Sequence, residues 1–228
     1  METSSKLGVL LMLVLLACST GCQVLGAAWE AVDPPTADKT FALMDRPTLV
    51  LVDDPANELG SPQLATVAAV SIGTDLKAKG AVAQIVNQDK VFDFAAKNEA
   101  EFARMGVANV GRAVGAQQVI HVHIRSATYL AEPGTLKPSA SLLVKVIDTS
   151  KPKGSRKLFP PVAEAAAGLP IRDGGYVMSV SLRHTVTGED TRTQMRVIRQ
   201  KLADKIGVQV AKLFYRYELR QPGAIYKD

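Results

Sequence analysis

The chain has 228 residues, 47% of them apolar and 21% charged, a balance that belongs to a folded globular chain and excludes a wholly disordered one. Its 27 basic residues outnumber 22 acidic ones for a net charge of +5, and the length suits one domain with attachments. Both cysteines, Cys18 and Cys22, lie near the start, which excludes a disulfide framework or a cysteine-based zinc site further along.

Residues 1–6 are short and polar, with Lys6 and the amino terminus outweighing Glu2. Residues 7–17 are all apolar or glycine. As a helix they reach about 16 Å, well short of a bilayer core of about 30 Å. A positive start, a short apolar middle and small residues afterwards form the pattern of a secretory signal. A buried amino-terminal helix would need a polar face, and this stretch has none. The small residues before each cysteine resemble the lipobox of bacterial lipoproteins, in which the thiol is acylated and becomes the first mature residue. Leu15-Leu16-Ala17 before Cys18 is nearer the usual lipobox, whereas a cut before Cys22 leaves no spare thiol in an oxidising compartment. The expected lipidation site is Cys22, with Cys18 as the alternative, and the expected signal peptide is residues 1–21. The resemblance implies a protein anchored in a membrane of the bacterial cell envelope, facing the periplasm or the exterior. Residues 22–46, with Gly26, Pro34 and Pro35, read as a tether that also carries the single tryptophan, Trp29. The folded domain is expected at residues 47–220, followed by a tail at 221–228.

Residues 48–52 form a short apolar strand, and Asp53-Asp54-Pro55 is a turn signature. Ser61-Pro62 places a serine N-cap before a proline at the first helical position. Leu64, Ala68, Ile72 and Leu76 then recur every four residues up to Gly80, which predicts a helix with one buried stripe. Residues 81–86 read as a second strand. Residues 89–118 read as helix in two pieces, broken near Gly106 and ended by Gly115. From 119 to 130 the pattern alternates, with Ile120, Val122 and Ile124 on one face and His121, His123 and Arg125 on the other. Pro133-Gly134 turns the chain and residues 141–147 return as a hairpin partner. After a basic loop at 151–157 and an alanine- and proline-rich connection at 160–175, residues 176–182 read as another strand. Ile198, Leu202, Ile206, Val210 and Phe214 mark a closing helix over 191–217. The order β-α-β-α-β-β-β-α predicts one α/β domain, with α+β as the neighbouring class, built on a mixed sheet with the long C-terminal helix packed on it.

The junction Val110-Gly111-Arg112-Ala113-Val114-Gly115-Ala116-Gln117-Gln118-Val119-Ile120 resembles the helix-to-strand step of a group of envelope proteins. The group comprises the curli-secretion lipoprotein family, the lipoprotein activators of penicillin-binding proteins and the amino-terminal domain of the Tol-system propeller protein. The resemblance implies an anticodon-binding-like α/β fold and a non-catalytic role in protein assembly at the envelope. It implies another envelope protein as partner, and self-association into a homo-oligomer as a further option.

His121-x-His123 is the sharpest chemical signal, because residues two apart on a strand point to one side and both imidazoles can reach one metal ion. His184 or Asp148 are candidate third ligands. The plainer reading is a solvated strand face continued by Arg125, whose charge opposes a divalent ion, so no metal or other cofactor is expected. Asp53-Asp54 has the look of a phosphorylation receiver, but Asn87 follows the next apolar run where that chemistry needs an aspartate, and a capping turn fits better. Neither phosphate-loop pattern nor a nucleophile elbow is present. Lys151, Lys153, Arg156 and Lys157 in the basic loop, with Arg192, Arg196 and Arg199 at helical spacing, are candidates for a surface that meets an anionic partner. Glu189, Asp190, Asp204 and Glu218 partly balance them. Nucleic acid is not expected, since export removes it and aromatic content is 5%. The chain therefore reads as an exported, lipid-anchored envelope protein with a non-catalytic, protein-binding domain. The alternative is an exported metal-dependent or hydrolytic enzyme centred on His121 and His123.

Overall fold

The computed structural model describes residues 35–129, 131–132, 135–153, 156–161, 169–182, 184–185 and 191–219. The expected signal peptide, both cysteines, Trp29, the Pro133-Gly134 turn and the tail at 221–228 lie outside them. The chain divides into two units, Lys39–Tyr215 and the chain ends Met1–Asp38 with Arg216–Asp228. Within the second unit, strand β1 (Thr36–Ala37) pairs antiparallel with β11 (Tyr217–Glu218), and Arg216 Nε donates to Thr36 Oγ1 at 2.9 Å.

The larger unit is a mixed α/β domain. Strand β2 (Thr48–Asp53) is followed by helix α1 (Pro62–Ala78). The expected start holds: Ser61 is the N-cap and its hydroxyl accepts from the Gln63 N–H at 3.3 Å, while Pro62 sits where a missing N–H costs nothing. Gly80, with φ of +65°, turns the chain out of the helix. Before that helix, the Asp54 carboxylate accepts from the Glu58 and Leu59 N–H groups at 2.8 and 2.9 Å, so Asp54 serves a turn while Asp53 takes no part in it.

Several segments depart from expectation. Residues 81–86 are not a strand: Ile85 makes one isolated parallel bridge to Thr48. The Ala83 N–H is taken by the Asp45 carboxylate at 3.0 Å, and Asn87 at once caps the next helix, so no ladder develops. The helical stretch after it comes in three pieces, α2 (Gln88–Lys97), α3 (Glu99–Phe102) and α4 (Val107–Ala113). The added break is at Asn98, whose side-chain amide donates to the Phe94 carbonyl and competes with the helix backbone. The closing helix α5 (Thr191–Ala211) is shorter than expected and runs into a 3-10 turn, Lys212–Phe214. There the Leu213 carbonyl accepts from the Thr40 and Phe41 N–H groups, and Tyr215 is extended. Thr40 and Phe41, expected in the tether, thus belong to the domain.

Strand β3 (Gln118–Thr128) runs parallel to β2 and antiparallel to β6 (Ser139–Asp148). Between them, β4 (Ala131–Glu132) and β5 (Thr135–Leu136) pair antiparallel. Strand β7 (Lys157–Phe159) pairs with the far end of β6. Strands β8 (Ile171–Arg172) and β9 (Gly175–Ser181) form a hairpin whose second arm lies along β6, giving the order β2-β3-β6-β9-β8. Strand β10 (His184–Thr185) pairs with β5.

Alternation sorts the sheet into two sides. Val50, Ile120, Val122, Ile124, Leu142, Val144 and Val146 are all buried on the side where α1 and α5 pack. Those helices bring Ile72 and Leu76 from one, and Ile198, Leu202 and Ile206 from the other, each with no exposure. Phe159 anchors this core, with ring centroids 5.3 Å from Phe41, 5.4 Å from Tyr176 and 6.3 Å from Phe214. On the opposite side, Leu49 and Val119 pack with Val91, Val110 and Val114 of the shorter helices. Gly111 is required there, since a Cβ would overlap the side chains of Val119 and Thr149. The register of β3 against β6 slips at Arg125, a bulge that reverses the alternation so that Ala127 comes opposite buried Ala140. Among the described residues, no helix is long and apolar enough to cross a membrane.

Candidate functional site

The side of the sheet away from α1 and α5 carries the predicted histidines. The parallel register sets Leu51 beside His121 and Asp53 beside His123. Asp53 ends β2 with its side chain 48% exposed, and its Oδ2 lies 3.3 Å from His123 Nδ1 and 3.8 Å from His121 Nε2. The two rings are 6.4 Å apart. His121 is the more enclosed, and its Nε2 is buried with no hydrogen-bond partner among the described residues. Lys145 stands opposite it on β6. Burial pushes the His121 imidazole below its ordinary value of 6.5; Asp53 pulls it back up, while Lys145 and His123 push it further down.

The proposed third ligands do not join this pair. Asp148 lies opposite Gln118, three residues beyond the Lys145 that faces His121 and, by alternation, on the other side of the sheet. It is almost fully buried and held by Arg46 at 3.1 Å and by the Ser150 N–H and hydroxyl at 2.9 and 2.6 Å. Burial alone would raise its carboxyl; the Ser150 bonds and Arg46 outweigh that and hold it below the usual carboxylate value. His184 pairs through its backbone with Leu136, and its side chain is outside the described residues. Arg125 points its guanidinium to Asp173, at 3.9 Å. Among the described residues, no three histidine, cysteine, aspartate or glutamate side chains are disposed to hold a metal ion. Asp53 is the partner that sequence reasoning missed: only the parallel pairing of residues 48–53 with 118–123 reveals it. The arrangement lets Asp53 share a hydrogen bond with His123 while His121 stays outside hydrogen-bond range of the carboxylate.

The basic residues divide. Lys151, Lys153 and Lys157 are all exposed, and Lys151 also lies 4.0 Å from Asp148. Arg156 donates to the Lys151 carbonyl at 2.6 Å and ties the loop to itself. On α5, Arg196 is exposed, and the Arg192 side chain is outside the described residues. Arg199 is turned inward, its guanidinium 5.2 Å from the centroid of the Tyr129 ring and pressed against Gly60. The bulge at Arg125 is what allows this, because it carries Tyr129 round to donate its hydroxyl to the Leu59 carbonyl at 3.2 Å. The expected stripe of three guanidinium groups is thereby interrupted at Arg199.

Two clefts accompany these groups. One of about 510 Å³ lies between α1 and α5 and is lined by Val67, Val70, Ser71, Thr74, Asp204 and Val208. Another of about 270 Å³ lies between the start of α1 and the shorter helices, lined by Leu51, Val52, Pro62, Val91, Phe92 and Phe102.

No protein-family model matches the chain, and no curated protein matches it. Some solved structures are similar to it at low TM-score. A hypothetical protein of Chlamydia trachomatis is 12% identical with a TM-score of 0.39, over 74% of this chain and 96% of that one. The lipoprotein GNA1162 of Neisseria meningitidis is 9% identical at 0.39, over 72% of this chain and 99% of that one. PelC of Paraburkholderia phytofirmans, solved as a dodecamer, is 15% identical at 0.37, over 82% of this chain and 97% of that one.

Proposed function

We propose that the chain is an exported, lipid-anchored protein of the bacterial cell envelope whose α/β domain binds another protein without catalysing a reaction. One observation carries this reading: an apolar run of eleven residues, too short to span a bilayer, ends on small residues next to Cys18 and Cys22. An acylated cysteine supplies the anchor, and more than one acyl chain makes it firm. Several polar residues of the domain are committed to structure, which favours the non-catalytic part of this reading. Asp148 braces Arg46, Arg199 stacks on Tyr129, and Asp54 caps a turn.

Metabolic labelling with a fatty-acid analogue tests the anchor. Label is expected on the wild type, with loss in Cys22→Ser and release of the Cys18→Ser, Cys22→Ser double variant into the soluble fraction. An unlabelled wild type, with an intact Met1 recovered from cytosol, overturns the reading. Capture of a defined envelope protein from solubilised membranes then tests the binding role.

A further inference from the structure

His121, His123 and Asp53 meet on the side of the sheet that α1 and α5 leave alone, and the proposed binding role makes no use of them. We propose that the three form an acid-responsive site, in which the enclosed, unbonded His121 beside Lys145 makes the fold less stable in acid. This inference stands apart from the envelope reading.

The geometry is specific. His121 Nε2 is buried and unbonded, 3.8 Å from the nearest carboxylate oxygen, beyond hydrogen-bond range. That same oxygen is closer to His123, at 3.3 Å. The groups that face His121 are Asp53 on β2, His123 on its own strand and Lys145 on β6. The Lys145 ammonium is tethered to the Asp173 carbonyl at 3.1 Å, so it stays near. A proton on His121 therefore adds a second positive charge beside Lys145 in a place partly shielded from water, and the single carboxylate, already shared, offsets only part of it.

The direction of the effect follows. The folded imidazole takes its proton at a lower pH than the unfolded one, whose ordinary value is 6.5. Stability from this group is complete above that value and is lost as pH falls through the folded one, because the unfolded chain binds the proton first. The chain holds three histidines, so loss of stability through imidazole protonation can be assigned one residue at a time.

Thermal unfolding of the purified protein at pH 7.5 and pH 5.5 tests this. The wild type is expected to unfold at a lower temperature at pH 5.5. His121→Gln should remove most of that difference, while His123→Gln and His184→Gln leave most of it in place. Lys145→Met should shrink the difference and Asp53→Asn enlarge it, since one removes a repelling charge and the other an attracting one. A His121→Gln variant with the wild-type pH difference overturns the proposal. So does movement of the Lys145→Met and Asp53→Asn variants in the same direction, a comparison that decides the matter even where His121→Gln fails to fold.

Discussion

Replacing Arg46 with methionine removes the guanidinium that faces Asp148 and tests how the base of the long hairpin is held. Arg46 Nη1 and Nη2 lie 3.2 and 3.1 Å from Asp148 Oδ2, in a site where the carboxylate is almost fully buried. Stripping one partner from a buried pair costs about 3–5 kcal/mol, most of it the penalty of the charge left behind. Three features reduce that figure, the first being the Lys151 ammonium that remains 4.0 Å from Asp148 Oδ2. Asp148 Oδ1 keeps both bonds from Ser150, and Arg46 Nε is itself buried and unbonded, so its removal recovers about 1–2 kcal/mol of unmet hydrogen bonding. The expected net loss is about 2–3 kcal/mol at pH 7, read as a lower urea midpoint with an unchanged slope. Acid adds a second readout. The Asp148 carboxyl is held below its ordinary value of 3.8, so its contribution is present above that value and is lost as pH falls through the folded one. The gap between Arg46→Met and wild type should therefore narrow in strong acid. A gap under about 0.5 kcal/mol at pH 7, or one that does not change with acid, would refute the reasoning.

Other substitutions probe separate parts of the molecule. Gly207 lies where α5 crosses α1, and a Cβ there would overlap the Ser71 side chain and come within 3.2 Å of the Ala68 carbonyl. Gly207→Ala should cost about 1–3 kcal/mol by calorimetry, with partial rescue by Ser71→Gly. Ile120 has no exposure at the centre of the sheet, and Ile120→Ala should cost about 2–5 kcal/mol in urea unfolding. Arg196→Ala should be neutral to within about 0.5 kcal/mol, whereas Arg199→Ala, which loses the Tyr129 stack, should cost about 1–2 kcal/mol; equal values for both would place Arg199 in solvent.

Local chemistry was readable wherever one segment sufficed. The serine and proline at 61 and 62, the four-residue stripe behind them and Gly80 specify α1 without outside help, and Ile120, Val122 and Ile124 lie inside as their spacing requires. What depended on pairing was hidden. Asp53 reaches the histidines because β2 lies parallel to β3 in this register, and Asp148 is kept from them by a register that sets it opposite Gln118, on the other side of the sheet. The bulge at Arg125 has no signature of its own in the sequence, yet it decides where Tyr129 and hence Arg199 go. The β8–β9 hairpin was legible and overlooked. Asp173-Gly174, with φ of +51° and +68°, is the residue pair that tight hairpins favour, but a two-residue first arm is too short to register as a strand.

The ring cluster around Phe159 draws its members from positions 41, 159, 176 and 214. Contacts between residues so far apart in sequence are slow to form, since a large loop must close before any of them is rewarded. A chain delivered from its first residue onward can bring Phe159 to Phe41 before Phe214 has emerged, but the face of Phe159 that meets Phe214 stays open until the closing helix and its 3-10 turn arrive. The fold is thus sealed by its last helix, and a truncated product that stops short of that helix would leave sticky surface for chaperones and proteases to find.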